Sequence, residues 1–354
     1  MSLGCIGIWN FRNIAEAPAV SLAPGLTLVS GQNAQGKTNF LEAVGLLLAG
    51  LPLRGQSDRD MIREGEEGYR IVGDWTEPGG AAASLVCSAA RTPLRRRRDG
   101  AVHPVVMFSP DDVLLVKGGP DGRRRLLDLT LSQLYPYYGR QLRAYQRALA
   151  QRNRALKEGA ADAVLDSFAP ALAEAGAYLW ERRIRLVDAL IQEMAPLVAL
   201  LAPQDTPTLV HLPGGHVAQR DARGILEALA RRRLEERARG MTLTGPHRDD
   251  LDLALNGRSA RLYASQGQQR TLALGLKLAA RGVLERQLGE RPVVLLDDVL
   301  SELDGARRHA LLDVVARGGQ QTIVTDTQGD RYQDLTPWHL VVEAGRIAPA
   351  DGGR

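Results

Sequence analysis

Gly31-Gln32-Asn33-Ala34-Gln35-Gly36-Lys37-Thr38 sets two glycines, a lysine and a hydroxyl at the spacing G-x-x-x-x-G-K-[ST]. These residue types in this order make a phosphate cradle. The glycines let the backbone curl so that successive N–H groups converge on an anion. Lys37 adds a point charge, and Thr38 offers a hydroxyl to Mg²⁺. The flanks suit that chemistry, with strand-like Leu26-Thr27-Leu28-Val29 before the loop and a helix-like run from Asn39 to Leu48 after it. A glycine-rich turn without function is the competing reading. Only 4 of the 45 basic residues are lysine, so a chance fit is disfavoured and a nucleotide-binding loop is preferred.

A second constellation lies 260 residues beyond Lys37, where Val293-Val294-Leu295-Leu296 runs into Asp297 and Asp298. Short continuous apolar runs mark central strands buried on both faces. Open α/β sheets bind ligands at the carboxyl ends of their strands, which puts Asp297 within reach of a Mg²⁺ shell. The alternative is an ordinary buried strand with an acidic end, and the phosphate loop weighs against it. Between the two sites, Leu251-x-Leu253-x-Leu255-Asn256-Gly257 predicts a hairpin continuing to Tyr263. Ser265, in Ala264-Ser265-Gln266-Gly267-Gln268, then reads as the N-cap of a helix carrying Leu272, Leu276, Ala279 and Leu284. A hydroxyl at a positive helix end is a second anion site. For an isolated Ser-x-Gly, a plain cap would be the better reading.

The order phosphate loop, Ser-x-Gly-Gln helix, Asp-Asp strand and Ser301-Glu302-Leu303-Asp304 resembles an ABC-type ATPase head. Within that class the chain resembles the RecF recombination-mediator family. The matching stretches include Asn10-Phe11-Arg12-Asn13, Gly36 through Ala43, Phe108-Ser109-Pro110-Asp111-Asp112 and Lys117-Gly118-Gly119-Pro120. Arg123-Arg124, Gln151-Arg152-Asn153, Gly245-Pro246-His247-Arg248 and Ser265 through Thr271 complete the series in family order. The resemblance implies ATP and Mg²⁺ as cofactors, and a homodimer that closes around two nucleotides. It further implies binding to duplex DNA at single-strand/double-strand junctions, recombinational repair of gaps and stalled forks, and RecR and RecO as partners. It assigns Gly31 to Thr38 with Asn39 to the phosphate loop, Thr38 and Asp297 to the metal, and Asp298 to the place of the catalytic Glu. Ser265, Gly267 and Gln268 match the signature that meets the partner copy's γ-phosphate, and Asp304 matches the D-loop. Two departures bear on positioning the attacking water. Asp298 is one methylene shorter than Glu, and Val324-Thr325-Asp326-Thr327 has no His. Binding with slow turnover is therefore expected. Asp111 or Asp112 is the candidate for the place of the glutamine that usually follows the third-strand region of such heads.

These motifs require an α/β frame: a mixed sheet around the phosphate loop, an antiparallel β part, and an inserted helical arm. The head is expected over residues 1–120 plus 241–354, and the arm over 121–240. Within the arm, Pro136, Pro170 and Pro203 punctuate helices predicted near 123–134, 138–158, 171–201 and 222–239. The stripe Leu142, Tyr145, Leu149 and Leu156 reads as packing. Among three arginine runs, Arg95-Arg96-Arg97-Arg98 precedes Asp99-Gly100, a hairpin-tip signal that would expose all four for DNA backbone contact. A solvated surface is the alternative there. For Arg231-Arg232-Arg233, beside Glu235 and Glu236, ion pairing is preferred. Aromatics at 5% argue against base stacking on single strands and for charge-led binding of duplex.

A net charge of +4 permits a nucleic-acid partner without requiring one. Two cysteines form no disulfide framework or zinc set, no run reaches the 18 apolar residues of a membrane span, and no signal segment is visible, so a cytoplasmic protein is expected. A transporter ATPase subunit, a chromosome-condensing (SMC-like) machine and an ATPase–nuclease fusion are the rivals. The arm and arginine run argue against the first and the arm's short helices against the second. The third would need room for a nuclease after Val341-Val342-Glu343-Ala344-Gly345.

Overall fold

Residues 2–21 form a hairpin, β1 (Ser2–Phe11) and β2 (Ile14–Ser21), turned by Arg12-Asn13. The computed structural model describes residues 1–54, 57–77, 79–215, 217, 219–300, 305, 308, 311, 319–327 and 338–350. Two units divide the chain, residues 1–112 with 284–354, and residues 113–283. In the first unit, β3 (Leu26–Ser30) leads through the phosphate loop into α1 (Lys37–Ala49) and the short α2 (Asp58–Met61). Next come β4 (Gly68–Thr76), β5 (Ala82–Arg91), β6 (Leu94–Asp99) and β7 (Val105–Phe108). In β4 and β5, Tyr69, Ile71, Trp75, Leu85 and Cys87 alternate inward, the pattern of strands with one buried face. They belong to an antiparallel sheet ordered β2-β1-β4-β5-β6.

The second unit opens with α3 (Leu114–Lys117), α4 (Pro120–Leu134), α5 (Pro136–Lys157), α6 (Asp162–Ser167) and the 33-residue α7 (Ala169–Leu201). Pro136 and Pro170 occupy first turns, where the missing N–H is no loss. A strand within the segment expected to be helical, β8 (Pro207–Leu212), follows. After it come α8 (Ala222–Arg231) and α9 (Arg233–Arg239), one expected helix interrupted at Arg232. β9 (Asp250–Leu255) and β10 (Arg258–Ser259) form the expected hairpin, with Asn256 at φ 52° and Gly257 at φ 75° as the turn demands. The second strand ends at Ser259, however, and residues 260–263 turn into a helix instead of continuing it to Tyr263. This helix, α10 (Ala260–Tyr263), and α11 (Gln266–Leu288) close the segment.

The Thr244-Gly245-Pro246-His247-Arg248 stretch leads into the polar centre of this unit. Asp249 is fully buried and accepts from Trp180 Nε1, Arg183 Nη1, His211 Nε2 and the Gly214 N–H, at 2.7–3.0 Å. A carboxylate tolerates burial only when so satisfied. Burial works against its charge, yet the His211 hydrogen bond and Arg183 hold its pKa below the ordinary value. His247 donates from Nε2 to the Thr242 carbonyl, which leaves Nδ1 to accept the Tyr145 hydroxyl at 2.7 Å.

The chain returns to the first unit with β11 (Val293–Asp297), β12 (Thr322–Asp326), β13 (Trp338–Glu343) and β14 (Arg346–Pro349). These join β3 and β7 in a sheet ordered β14-β13-β3-β12-β11-β7, parallel except for β14. α1 touches strands of both sheets of this unit. Phe40, Leu41, Val44, Leu47 and Leu48 are wholly buried, so the helix is apolar nearly all round. The unit boundaries fall at 112/113 and 283/284 rather than at 120/121 and 240/241. Pairing of β8 with β9 draws residues 241–263 into the second unit, and α11 lies against α7, where a Cβ on Gly275 would meet Val198 at 3.0 Å.

Candidate nucleotide site

β3 and β11 run parallel on either side of β12, so all three deliver their carboxyl ends to one edge. The loop Gly31–Gly36 and Asp297-Asp298 meet there, and a cleft of about 160 Å³ is lined by Asn33, Ala34, Gly36, Lys37, Thr38, Asn39, Asp297 and Asp298. The loop's curl demands positive φ at Gly31 (152°), Ala34 (65°) and Gly36 (118°). A Cβ at Gly31 would run into the Val342 carbonyl. Lys37 Nζ reaches back to the carbonyls of Gly31 and Gln32 at 2.7 and 2.9 Å. Burial pushes its ammonium below the ordinary pKa, opposed by Asp298, Asp297 and Asp326.

The two motifs are joined directly. Thr38 Oγ1 donates to Asp297 Oδ1 at 2.8 Å, and Thr325 Oγ1 donates to the same oxygen at 3.0 Å. A hydroxyl and a carboxylate side by side at a phosphate loop are hard oxygen donors, the kind that suit Mg²⁺. Thr325 Oγ1 also accepts from the Asp298 N–H at 3.0 Å. Asp298 sits at φ 51°, a conformation that Asp and Asn tolerate far better than Glu, which gives a backbone reason for the shorter acid.

Several neighbours carried no sequence signal of their own. Asn13, at the β1–β2 turn, donates to the Gln35 carbonyl and accepts from Asn39 Nδ2 at 2.7 Å. The β13–β14 turn braces the loop from another side, since Ala344 N donates to Gln35 Oε1 and Gly345 N to the Gln35 carbonyl. Arg54 lies 3.6 Å from Asp297 Oδ2 and 3.4 Å from Asp111, while Asp112 instead accepts from the Ser109 N–H. Among the acidic candidates at 111 and 112, Asp111 is thus the one tied to Asp297 through Arg54. Nothing in the pattern Asn10-Phe11-Arg12-Asn13 marks Asn13 as a loop brace.

The other expected site residues lie elsewhere. Ser265, Gly267 and Gln268 belong to the second unit, where Ser265 is exposed and caps α11. Ser265 Oγ accepts from the Gln268 N–H at 3.3 Å, and Gln268 Oε1 accepts from the Ser265 N–H at 3.0 Å, a reciprocal capping box. Asp304 falls outside the described residues. The arginine run does not present four side chains. It forms β6, whose alternation leaves Arg95 and Arg97 exposed. Arg96 pairs with Asp58 at 3.4 Å, and Arg98 donates to the carbonyls of Leu47 and Leu48 at the end of α1 and to those of Gly100 and Ala101 just past β6. Nor is Asp99-Gly100 the hairpin tip, because the β5–β6 turn is Thr92-Pro93, flanked by the pair Arg91–Leu94. The Arg231–Arg233 run is engaged as expected, with Arg232 on Glu235 and Arg233 on Asp166.

The model of an AAA domain matches residues 5–78, which hold the loop, α1 and the first β hairpin. The chain is 38% identical to the DNA replication and repair protein RecF of Myxococcus xanthus, over 98% of this chain and 97% of that one. It is 41% identical to RecF of Anaeromyxobacter sp. strain K, over 92% of each. A solved structure of the recombination mediator protein RecF with ATP, described as of the RecFOR pathway, superposes with a TM-score of 0.87 at 28% identity. That match covers 98% of this chain and 97% of the other. The Smc head domain derived from Pyrococcus furiosus, at 14% identity and a TM-score of 0.52, shares the fold alone. With these relatives matched over nearly their whole length, and with the phosphate loop and Asp297 joined as an ATPase head requires, the chain belongs to the RecF family of DNA replication and repair proteins.

Proposed function

We propose that this chain is an ATP-binding protein of DNA replication and recombinational repair, and that it works as an ATP-controlled clamp on duplex DNA. The observation that carries the ATP site is the 2.8 Å hydrogen bond from Thr38 to Asp297, which makes one site of two motifs. The loop amides and Lys37 would hold the triphosphate, and Thr38 and Asp297 would hold Mg²⁺. A Mg²⁺ held by Thr38 and Asp297 would supply positive charge to offset that developing on the phosphate oxygens. Asp298 orients the attacking water. Its short side chain and the absence of His from the sequence Val324-Thr325-Asp326-Thr327 support slow hydrolysis, because phosphoryl transfer depends chiefly on positioning. In ABC-type heads the signature and the loop face different nucleotides, so Ser265 of one copy completes the site around Lys37 of the other. ATP thus acts as a shared ligand that drives dimerisation by mass action. ADP, without the γ-phosphate, releases the pair.

Arg95 and Arg97 are the exposed members of the run left to meet DNA phosphates. Family membership supports a preference for single-strand/double-strand junctions, a cytoplasmic location and partnership with RecR and RecO. Sedimentation in ATP, in ADP and without nucleotide, together with duplex pull-down, tests the reading. Dimer and DNA association should appear with ATP only. Ser265→Arg should remove both while leaving ATP bound to the monomer. Wild-type DNA binding that ignored nucleotide would overturn the clamp.

A further inference from the structure

Gln268 is held at both ends by groups that permit only one orientation of its amide. Its Oε1 accepts from the Ser265 N–H, a pure donor, at 3.0 Å. Its Nε2 lies 3.1 and 3.2 Å from the two oxygens of Asp205, a pure acceptor when ionised. A glutamate in place of Gln268 would satisfy the cap equally well, since Ser-x-x-Glu is itself a capping box. It would, however, set a carboxylate against Asp205, which is only 5% exposed. A glutamine is the side chain that satisfies both neighbours.

Asp205 is itself anchored on two sides. Asn256 Nδ2, from the β9–β10 turn, donates to its Oδ1 at 3.0 Å, and its own N–H donates to the Ala202 carbonyl just past the end of α7. Asn256 is locked in turn, accepting from the Thr206 N–H and donating to the Thr206 carbonyl. α7 also packs along α11, where a Cβ on Gly282 would meet Glu193 at 2.8 Å.

We propose that Asp205 is a positioning residue for the signature turn: it fixes the Gln268 amide, and through it the Ser265 end of α11, to the terminus of the long arm helix α7. The proposal rests on the reading of Ser265–Gln268 as the turn that closes on the partner copy's nucleotide. A movement of α7 would then reach the signature through one hydrogen-bonded residue.

The test compares full-length wild type, Asp205→Ala, Gln268→Glu and the exchanged pair Asp205→Asn/Gln268→Glu. Hydrogen exchange at residues 265–269, without nucleotide, reads the turn itself. Exchange should quicken at least about tenfold in Gln268→Glu and Asp205→Ala. It should return to within about threefold of wild type in the exchanged pair, since the amide introduced at position 205 can donate to the carboxylate introduced at position 268. Unchanged exchange in Gln268→Glu, or no recovery in the pair, overturns the proposal. ATP-dependent sedimentation then reads the consequence, with dimer lost in both single variants and regained in the pair. Recovered exchange without a recovered dimer would assign Gln268 a direct contact with the partner and overturn the positioning role. A wild type that fails to dimerise overturns the clamp reading instead, while the exchange data still decide the role of Asp205.

Discussion

At the scale of single residues, the proposed roles of Lys37 and Asp298 separate binding from turnover. Lys37 is nearly buried at the loop, and a buried charge-assisted contact to phosphate has no substitute in alanine. Lys37→Ala should weaken ATP at least about a hundredfold, roughly 2.7 kcal/mol, by titration calorimetry. Unaltered affinity would remove the loop from the mechanism. Asp298→Asn tests the other half. Asparagine tolerates the positive φ at 298, so the backbone should stay in place while the carboxylate is lost. Hydrolysis should fall at least about tenfold with ATP affinity kept within about threefold, and wild-type turnover itself should lie below about 10 s⁻¹. Hydrolysis indifferent to Asp298→Asn would mean that another group orients the water.

Strand β6 shows how an element reassigns residues that look equivalent in sequence. Four consecutive arginines read as one cationic patch, but a strand turns successive side chains to opposite faces. Arg98 therefore serves the carbonyl end of α1, where a cation also meets the negative helix terminus. Arg98→Ala should cost about 1–2 kcal/mol of stability by chemical denaturation, through lost hydrogen bonds at that helix end. Arg95→Ala/Arg97→Ala should leave stability alone and lower the slope of log K against log salt for duplex binding by about 2. If the two sets of variants exchanged these phenotypes, the facing of β6 would be wrong. Helix α11 offers the converse lesson: Ser265 was legible as a cap because capping is local, whereas the match of Gln268 to Asp205 spans 63 residues and left no local pattern.

The whole molecule adds a response to pH that no motif announces. Burial lowers the His247 pKa from 6.5 to about 4, with Arg248 adding to the effect and the Thr242 carbonyl opposing it. The unfolded chain therefore binds more protons than the folded one across that window, and stability rises with pH through it. The contribution, about 3 kcal/mol from the pKa gap, is complete above about pH 6.5 and is lost as pH falls toward about 4. Asp249, whose pKa is lowered, loses its contribution further into acid, so both groups destabilise the fold in the same direction. Urea denaturation between about pH 7.5 and 4.5 should show the decline, and His247→Gln should flatten it; equal slopes would exclude His247 as its source. Sequence alone determined the curl of the loop, the buried strand ending in Asp297, the Ser265 cap, the Asn256-Gly257 turn and the long helices. Each rests on the identity and spacing of neighbouring residues, and backbone geometry converts these into structure locally. The tertiary structure alone decided that Thr38 meets Asp297, that Arg54 and Asn13 attend the site, that β8 joins β9 and shifts the unit boundary, and that two of four arginines face inward. Those outcomes depend on strand pairing and burial between segments tens to hundreds of residues apart, for which no single stretch of sequence carries the signal.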